Sequence, residues 1–183
     1  MNTFIALLRG INVGGHNKLP MRELRQDLAS LGLANVSTYV QSGNVVLQTP
    51  RSDQAELANE IGAAIEQRHG FRPQVLLLNW EDLAQAASQN PYPQAIEEPK
   101  TLHFFFLETS PPAPDLDRLA ALKTAREQFA LIDQVFYLHA PDGIGRSKLA
   151  GSVEKALGVA TTARNWRTVS RLLEMGSALS RAL

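Results

Sequence analysis

Apolar residues along this chain switch between two rhythms, one of strand type and one of helix type. Thr3–Leu8 is a near-continuous apolar run of the kind a buried strand shows. Behind Pro20, which suits a first helical turn, Met21, Leu24, Leu28 and Leu31 recur at helical spacing, and Gly32 stops them. Val36 to Gln41 concentrates β-branched and aromatic residues, Ser42-Gly43-Asn44 is turn chemistry, and Val45 to Gln48 returns as its hairpin partner. A helix over 53–69 turns Leu57, Ile61, Ala64 and Ile65 inward and ends at Gly70, and Gln74 to Leu78 is a fourth strand.

Asn79 is placed to cap a short helix through Ala87, which Asn90-Pro91-Tyr92-Pro93 breaks. Thr101 to Glu108 reads as a phenylalanine-rich strand, and Pro111, Pro112 and Pro114 lead into a helix over 116–125. Phe129 to Ile132 and Val135 to His139 form a hairpin. The pattern then predicts a helix near Ser147 to Leu157 and a last one from about Asn165.

The order is βαββαβ, then βαββα with a C-terminal helix in place of the closing strand. This predicts an α+β fold of duplicated ferredoxin-like subdomains, residues 1–90 and 91–183.

Composition removes several function classes. There is no cysteine among the 183 residues, so disulfides and zinc–thiolate sites are excluded. The longest apolar runs are of strand length, and Arg9 interrupts the first before a signal sequence could form. A cytoplasmic protein without membrane association is the expectation. The net charge is zero but unevenly spread: residues 1–50 carry four cationic side chains against two acidic ones, and residues 146–183 carry seven against two. Two basic ends meeting in space would suit an anion, and two ordinary solvated faces would give the same counts.

Three segments carry candidate chemistry. Gly10, Gly14 and Gly15, flanked by Arg9 and Lys18, allow backbone N–H groups to converge on an anion ahead of a helix. The spacing is neither G-x-G-x-x-G nor a Walker loop, and the same glycines serve equally to turn the chain. In Gly143-Ile144-Gly145-Arg146-Ser147-Lys148, a serine at an N-cap lies between two cations, as at an anion seat or a plain capped helix. In the third, a helix through Thr161–Arg171 would align Arg164, Arg167 and Arg171 on one face and turn Trp166 and Val169 to the core.

Metal and nucleophile readings fare worse. His16, His69, His103 and His139 have no metal-ligand spacing, no G-x-S-x-G elbow occurs, and no cofactor is implied. His103 reads as a satisfied sheet histidine, and His16 is the one histidine to test as an acid or base.

At Ala6-Leu7-Leu8-Arg9-Gly10-Ile11-Asn12-Val13-Gly14-Gly15 the chain resembles the bacterial domain-of-unknown-function family 1697. The likeness continues through Tyr39–Val46, Asn90-Pro91-Tyr92, Gly145–Leu149 and Thr162–Val169. It implies two α+β subdomains from a duplication, no established activity, and no catalytic residue to carry over. It also links Arg9, Gly10, Asn12, Gly14 and Gly15 with Ser42, Asn44, Arg146, Ser147, Lys148, Arg164, Asn165 and Arg167. These are expected to converge on one polar groove between the subdomains that binds a phosphate-bearing ligand.

The ligand would be a phosphate-bearing small molecule or a nucleic-acid backbone. Val45-Val46-Leu47-Gln48 holds no aromatic residue to stack a base, which argues against ordinary sequence-specific RNA recognition. An acylphosphatase-like or other phosphate-ester hydrolase is the alternative, with Arg9 holding the anion and Asn44 positioning water. A protein-interaction module without a small ligand is the third reading.

Overall fold

A computed structural model of the chain describes residues 1–180. The fold is mixed α and β, with two four-stranded antiparallel sheets. Strands β1 (Asn2–Arg9), β2 (Ala34–Tyr39), β3 (Asn44–Thr49) and β4 (Gln74–Asn79) form the first, in the order β2-β3-β1-β4. The central β1 sets Ile5 opposite both Val46 of β3 and Leu78 of β4. Its near-continuous apolar run follows from this position, because Thr3 to Leu8 are all buried.

Helices α1 (Met21–Ser30) and α2 (Gln54–His69) cover one face, where Phe4, Ala6, Leu8, Val45 and Leu47 meet Leu24, Leu28, Leu57, Ile61 and Ile65. Each of these large side chains is worth roughly 1.5–3 kcal/mol of burial. Asp53 caps α2 by accepting from Glu56 N at 2.9 Å, and Gly70, with φ 77°, ends it. The two helices are joined at buried Asp27, which accepts from Arg68 Nη1 at 2.6 Å and lies 2.8 Å from His69 Nε2.

After α3 (Trp80–Ser88), the second sheet contains β5 (Leu102–Leu107), β6 (Gln128–Ile132), β7 (Val135–His139) and β8 (Thr161–Asn165), in the order β6-β7-β5-β8. Helices α4 (Leu116–Leu122) and α5 (Val153–Leu157) pack on the face carrying Phe105, Leu107, Phe136 and Leu138. On the other face Phe104 contacts the Tyr137 ring edge-on at 4.8 Å and Trp166 at 5.7 Å.

The structure corrects three expectations. A closing strand, β8, stands where the pattern gave a helix directly: Gly158, with φ 71°, ends α5, and the β-branched pair Thr161-Thr162 opens the strand. Helix α6 (Trp166–Ser180) starts only after Asn165, whose Oδ1 accepts from Thr168 N at 3.1 Å. The helix expected from Ser147 is a set of turns, a 3-10 segment over Ala150–Ser152 and then the short α5. The helix after the proline connector stops at Leu122, three residues early.

Two compact units are present among the described residues: one is Met1–Gln85 together with residues 170–180, and the other is Ala86–Val169. Within the first, Trp80 Nε1 donates to Leu173 O at 3.0 Å and its indole fills the space where Gly176 has no side chain.

Candidate functional site

The glycine-rich loop of the first unit is a small hairpin standing on a pinned base. At its tip His16 N donates to Val13 O at 3.0 Å, across Gly14 and Gly15 with φ 57° and 80°. Two successive left-handed residues make the kind of tight turn that glycine adopts without strain. The base is closed by asparagines. Asn12 N donates to Asn17 O at 3.0 Å, and Asn17 Nδ2 donates to Gly10 O at 2.8 Å. The Asn12 side chain donates to Leu19 O at 3.0 Å and to Gln41 O at 2.7 Å, and it accepts from Leu19 N at 2.8 Å.

These bonds join the glycine loop to the Ser42-Gly43-Asn44 turn. Leu8 N donates to Gly43 O at 2.8 Å, and a side chain at Gly43 would collide with Leu8 and Ile11. Asn44 is fully buried, and its Nδ2 donates to Tyr39 O at 3.0 Å and Ser42 Oγ at 2.9 Å. Both amide protons are therefore spent on the turn, which leaves none to orient a water molecule.

Solvent meets the tip. Val13, Gly14, Gly15, His16 and Lys18 are exposed, as is Arg9, whose Nη1 reaches Gln74 Oε1 at 3.4 Å. The N–H groups of Gly14 and Gly15 have no partner among the described residues. Val13 is 66% exposed and Val40, beside the pinned turn, 50%.

In the second unit the candidates divide by role. Ser147 Oγ donates to Glu127 Oε1 and accepts from Ala150 N at 3.0 Å. Glu127 is buried, and its other oxygen accepts from Thr124 N at 2.8 Å, so Ser147 stitches the turn to a buried carboxylate. Arg146 and Lys148 on either side are exposed.

Arg164, Arg167 and Arg171 do not form one helical face. Arg164 lies on β8 opposite Phe104, its Nη1 donating to Ala163 O at 2.8 Å, and burial pushes its guanidinium down to about 10. Arg167 is exposed in the first turn of α6, and Arg171 pairs with Glu174 at 2.8 Å. Asn165 is the α6 cap.

His103 is also not the satisfied sheet histidine expected. It is buried on β5, its Nδ1 has no partner, and burial lowers its basicity. Sequence reasoning did not single out Glu127 or Asp27, because a buried carboxylate leaves no local signature. Among the described residues no group of three or more His, Cys, Asp or Glu is arranged to hold a metal ion, and no helix is long and apolar enough to cross a membrane.

Comparison with known proteins decides the family. The model described as "Protein of unknown function (DUF1697)" matches residues 1–137. The chain belongs to the DUF1697 family. The match takes in the glycine loop and the Ser42 turn, while Arg146–Lys148 and Arg164–Arg167 lie beyond it. Among solved structures, the chain is similar to the conserved bacterial protein SP0830 from Streptococcus pneumoniae, at 25% identity over 96% of this chain and 98% of that one, with a TM-score of 0.72. No curated protein matches.

Proposed function

We propose that this DUF1697 protein is a binding module for a phosphate-bearing ligand, held at the hairpin tip between Arg9 and Lys18. One observation carries the reading. The N–H groups of Gly14 and Gly15 are unpaired among the described residues and lie on an exposed loop whose base is closed by the hydrogen bonds of Asn12 and Asn17. Converging amides on a pre-organised turn form an anion-binding concavity without the entropic cost of ordering a flexible loop. The buried, fully donated Asn44 amide weighs against the hydrolase alternative, which needs that group for water.

The test is a thermal-shift screen of the full chain against inorganic phosphate, nucleotides, polyphosphate and short RNA at low and high salt. A ligand at about 100 times its dissociation constant adds about 2.7 kcal/mol, a shift of several degrees. The shift should fall with salt and be lost in Arg9→Ala with Lys18→Ala. No shift with any anion would refute the reading.

Exposed Val13 and Val40 favour a second reading, a protein-interaction module using the same two joined loops. We also infer that the two sheets are ferredoxin-like repeats of one ancestral unit. The βαββαβ order in each half and the parallel strand orders β2-β3-β1-β4 and β6-β7-β5-β8 support it.

A further inference from the structure

We propose that the pinned hairpin tip docks on an anionic phospholipid bilayer, with Val13 and Val40 entering its outer layer while the Gly14 and Gly15 N–H groups and Lys18 hold a lipid phosphate. The proposal rests on the anion seat argued above and names the partner that carries the phosphate. Val13 follows Asn12 and Val40 precedes Gln41, so the 2.7 Å bond from Asn12 Nδ2 to Gln41 O sets two exposed valines on one bonded piece. Single exposed apolar side chains are ordinary on a protein surface. Val40 is not ordinary, because its φ is 52°. A β-branched residue rarely adopts the left-handed region, whereas asparagine or glycine would suit both that backbone and the solvent. The free protein gains nothing from valine there, and the strain is offset only when something apolar covers it.

Charge at the same end of the sheet states what that cover carries. The register sets Leu7 and Tyr39 each opposite Asn44, and Arg9 opposite Gln74, so both loops emerge where α1 begins and α2 ends. Residues 1–22 and 31–52 hold no acidic side chain. The carboxylates on the helix turns nearby are already engaged: Asp27 lies 2.6 Å from Arg68, Glu66 3.1 Å from Arg72 and Glu23 3.6 Å from His69 Nδ1. Lys18 and Arg22 are exposed and in no ion pair among the described residues. The surface left over is cationic, rich in N–H donors and tipped with valine.

An anionic bilayer answers all three features at one surface, with phosphate, net negative charge and hydrocarbon just beneath. A polynucleotide backbone offers the first two and no apolar layer for Val13 and Val40. Peripheral docking needs no spanning helix, and it revises the sequence expectation of no membrane association. Two valines and a few cations give reversible binding rather than permanent anchorage.

The test is co-sedimentation of the full chain with vesicles of phosphatidylcholine and phosphatidylglycerol in equal parts, against phosphatidylcholine alone. Wild type should bind the anionic vesicles, half bound at about 1 mM lipid in low salt, and lose most of that binding at about 0.5 M salt. Val13→Ser, Val40→Asn and Lys18→Ala should each lower the partition coefficient about fivefold. Val40→Asn should do so while raising the denaturation midpoint, since asparagine tolerates the left-handed backbone; its lost binding is then not lost folding. That variant should also keep the pyrophosphate-induced shifts of the Gly14 and Gly15 amides. If pyrophosphate moves those amides but wild type sediments with neither vesicle at about 5 mM lipid, the phosphate reading stands and the membrane partner is refuted. If pyrophosphate moves nothing either, both readings fall. Equal binding to both vesicles, binding unchanged by Val13→Ser and Val40→Asn, or binding to short RNA in place of vesicles would also overturn the proposal.

Discussion

Asn12 Nδ2 lies 2.7 Å from Gln41 O, and through this bond the glycine-rich loop and the Ser42 turn become one structural piece. The same amide holds Leu19 O and accepts from Leu19 N, which fixes the loop's entry and exit together. Asn12 itself sits at φ 53°, a conformation asparagine tolerates better than most residues. Asn12→Ala should therefore lose three side-chain hydrogen bonds and add backbone strain, at a cost of about 2–4 kcal/mol by chemical denaturation. A loss below about 0.5 kcal/mol would mean the loop is not held by this residue.

Two glycines of the same region should respond differently to alanine. Gly10 and Gly43 have φ values of 77° and 73°, so both pay for a left-handed alanine, about 1–2 kcal/mol. A methyl group at Gly10 meets nothing within 4 Å, whereas at Gly43 it would lie 2.6 Å from Leu8 Cβ. Gly43→Ala should cost about 2 kcal/mol more than Gly10→Ala, read from paired urea titrations. Equal costs would mean that Leu8 and Ile11 yield freely.

The contact of α6 with Trp80 should be similarly sharp. A Cβ at Gly176 would stand 2.1 Å from Trp80 Cδ1, at an indole already fixed by its bond to Leu173 O. Gly176→Ala should displace the indole, cost about 2–3 kcal/mol and shift tryptophan emission to the red. Unchanged emission and stability would contradict this packing.

Acid should expose His103. Burial holds its imidazole below the usual histidine range, so protons bind the unfolded chain more readily than the folded one. Its contribution is complete above the unfolded value of about 6.5 and is lost as pH falls below it. His103→Leu should flatten the decline in stability between pH 7 and 5, measured by denaturant midpoints. An unchanged slope would assign the acid sensitivity to other groups.

Much of the first unit was legible because its pattern has a single reading. Met21, Leu24 and Leu28 fit a helical period, and Ser42-Gly43-Asn44 sits between two runs of strand-forming residues, Val36 to Gln41 and Val45 to Gln48. β8 was not legible, since the five residues Thr161–Asn165 are short enough to be absorbed into the strong helical period of Trp166, Val169 and Leu172. The candidate residues were found as residue types, but their work was hidden. Asn12, Asn44, Ser147 and Asn165 all proved to bond nearby backbone or side chains, and sequence does not say which partner an amide or hydroxyl meets. Arg164 shows the same limit, because strand or helix decides whether that cation is buried or displayed.

The most direct test of anion binding at the hairpin tip is a titration of the isotopically labelled full chain with pyrophosphate, followed amide by amide in NMR spectra. Binding at the tip should give saturable downfield shifts of the Gly14 and Gly15 N–H signals that vanish in Arg9→Ala with Lys18→Ala. Unmoved glycine amides, or saturable shifts confined to other parts of the chain, would contradict it.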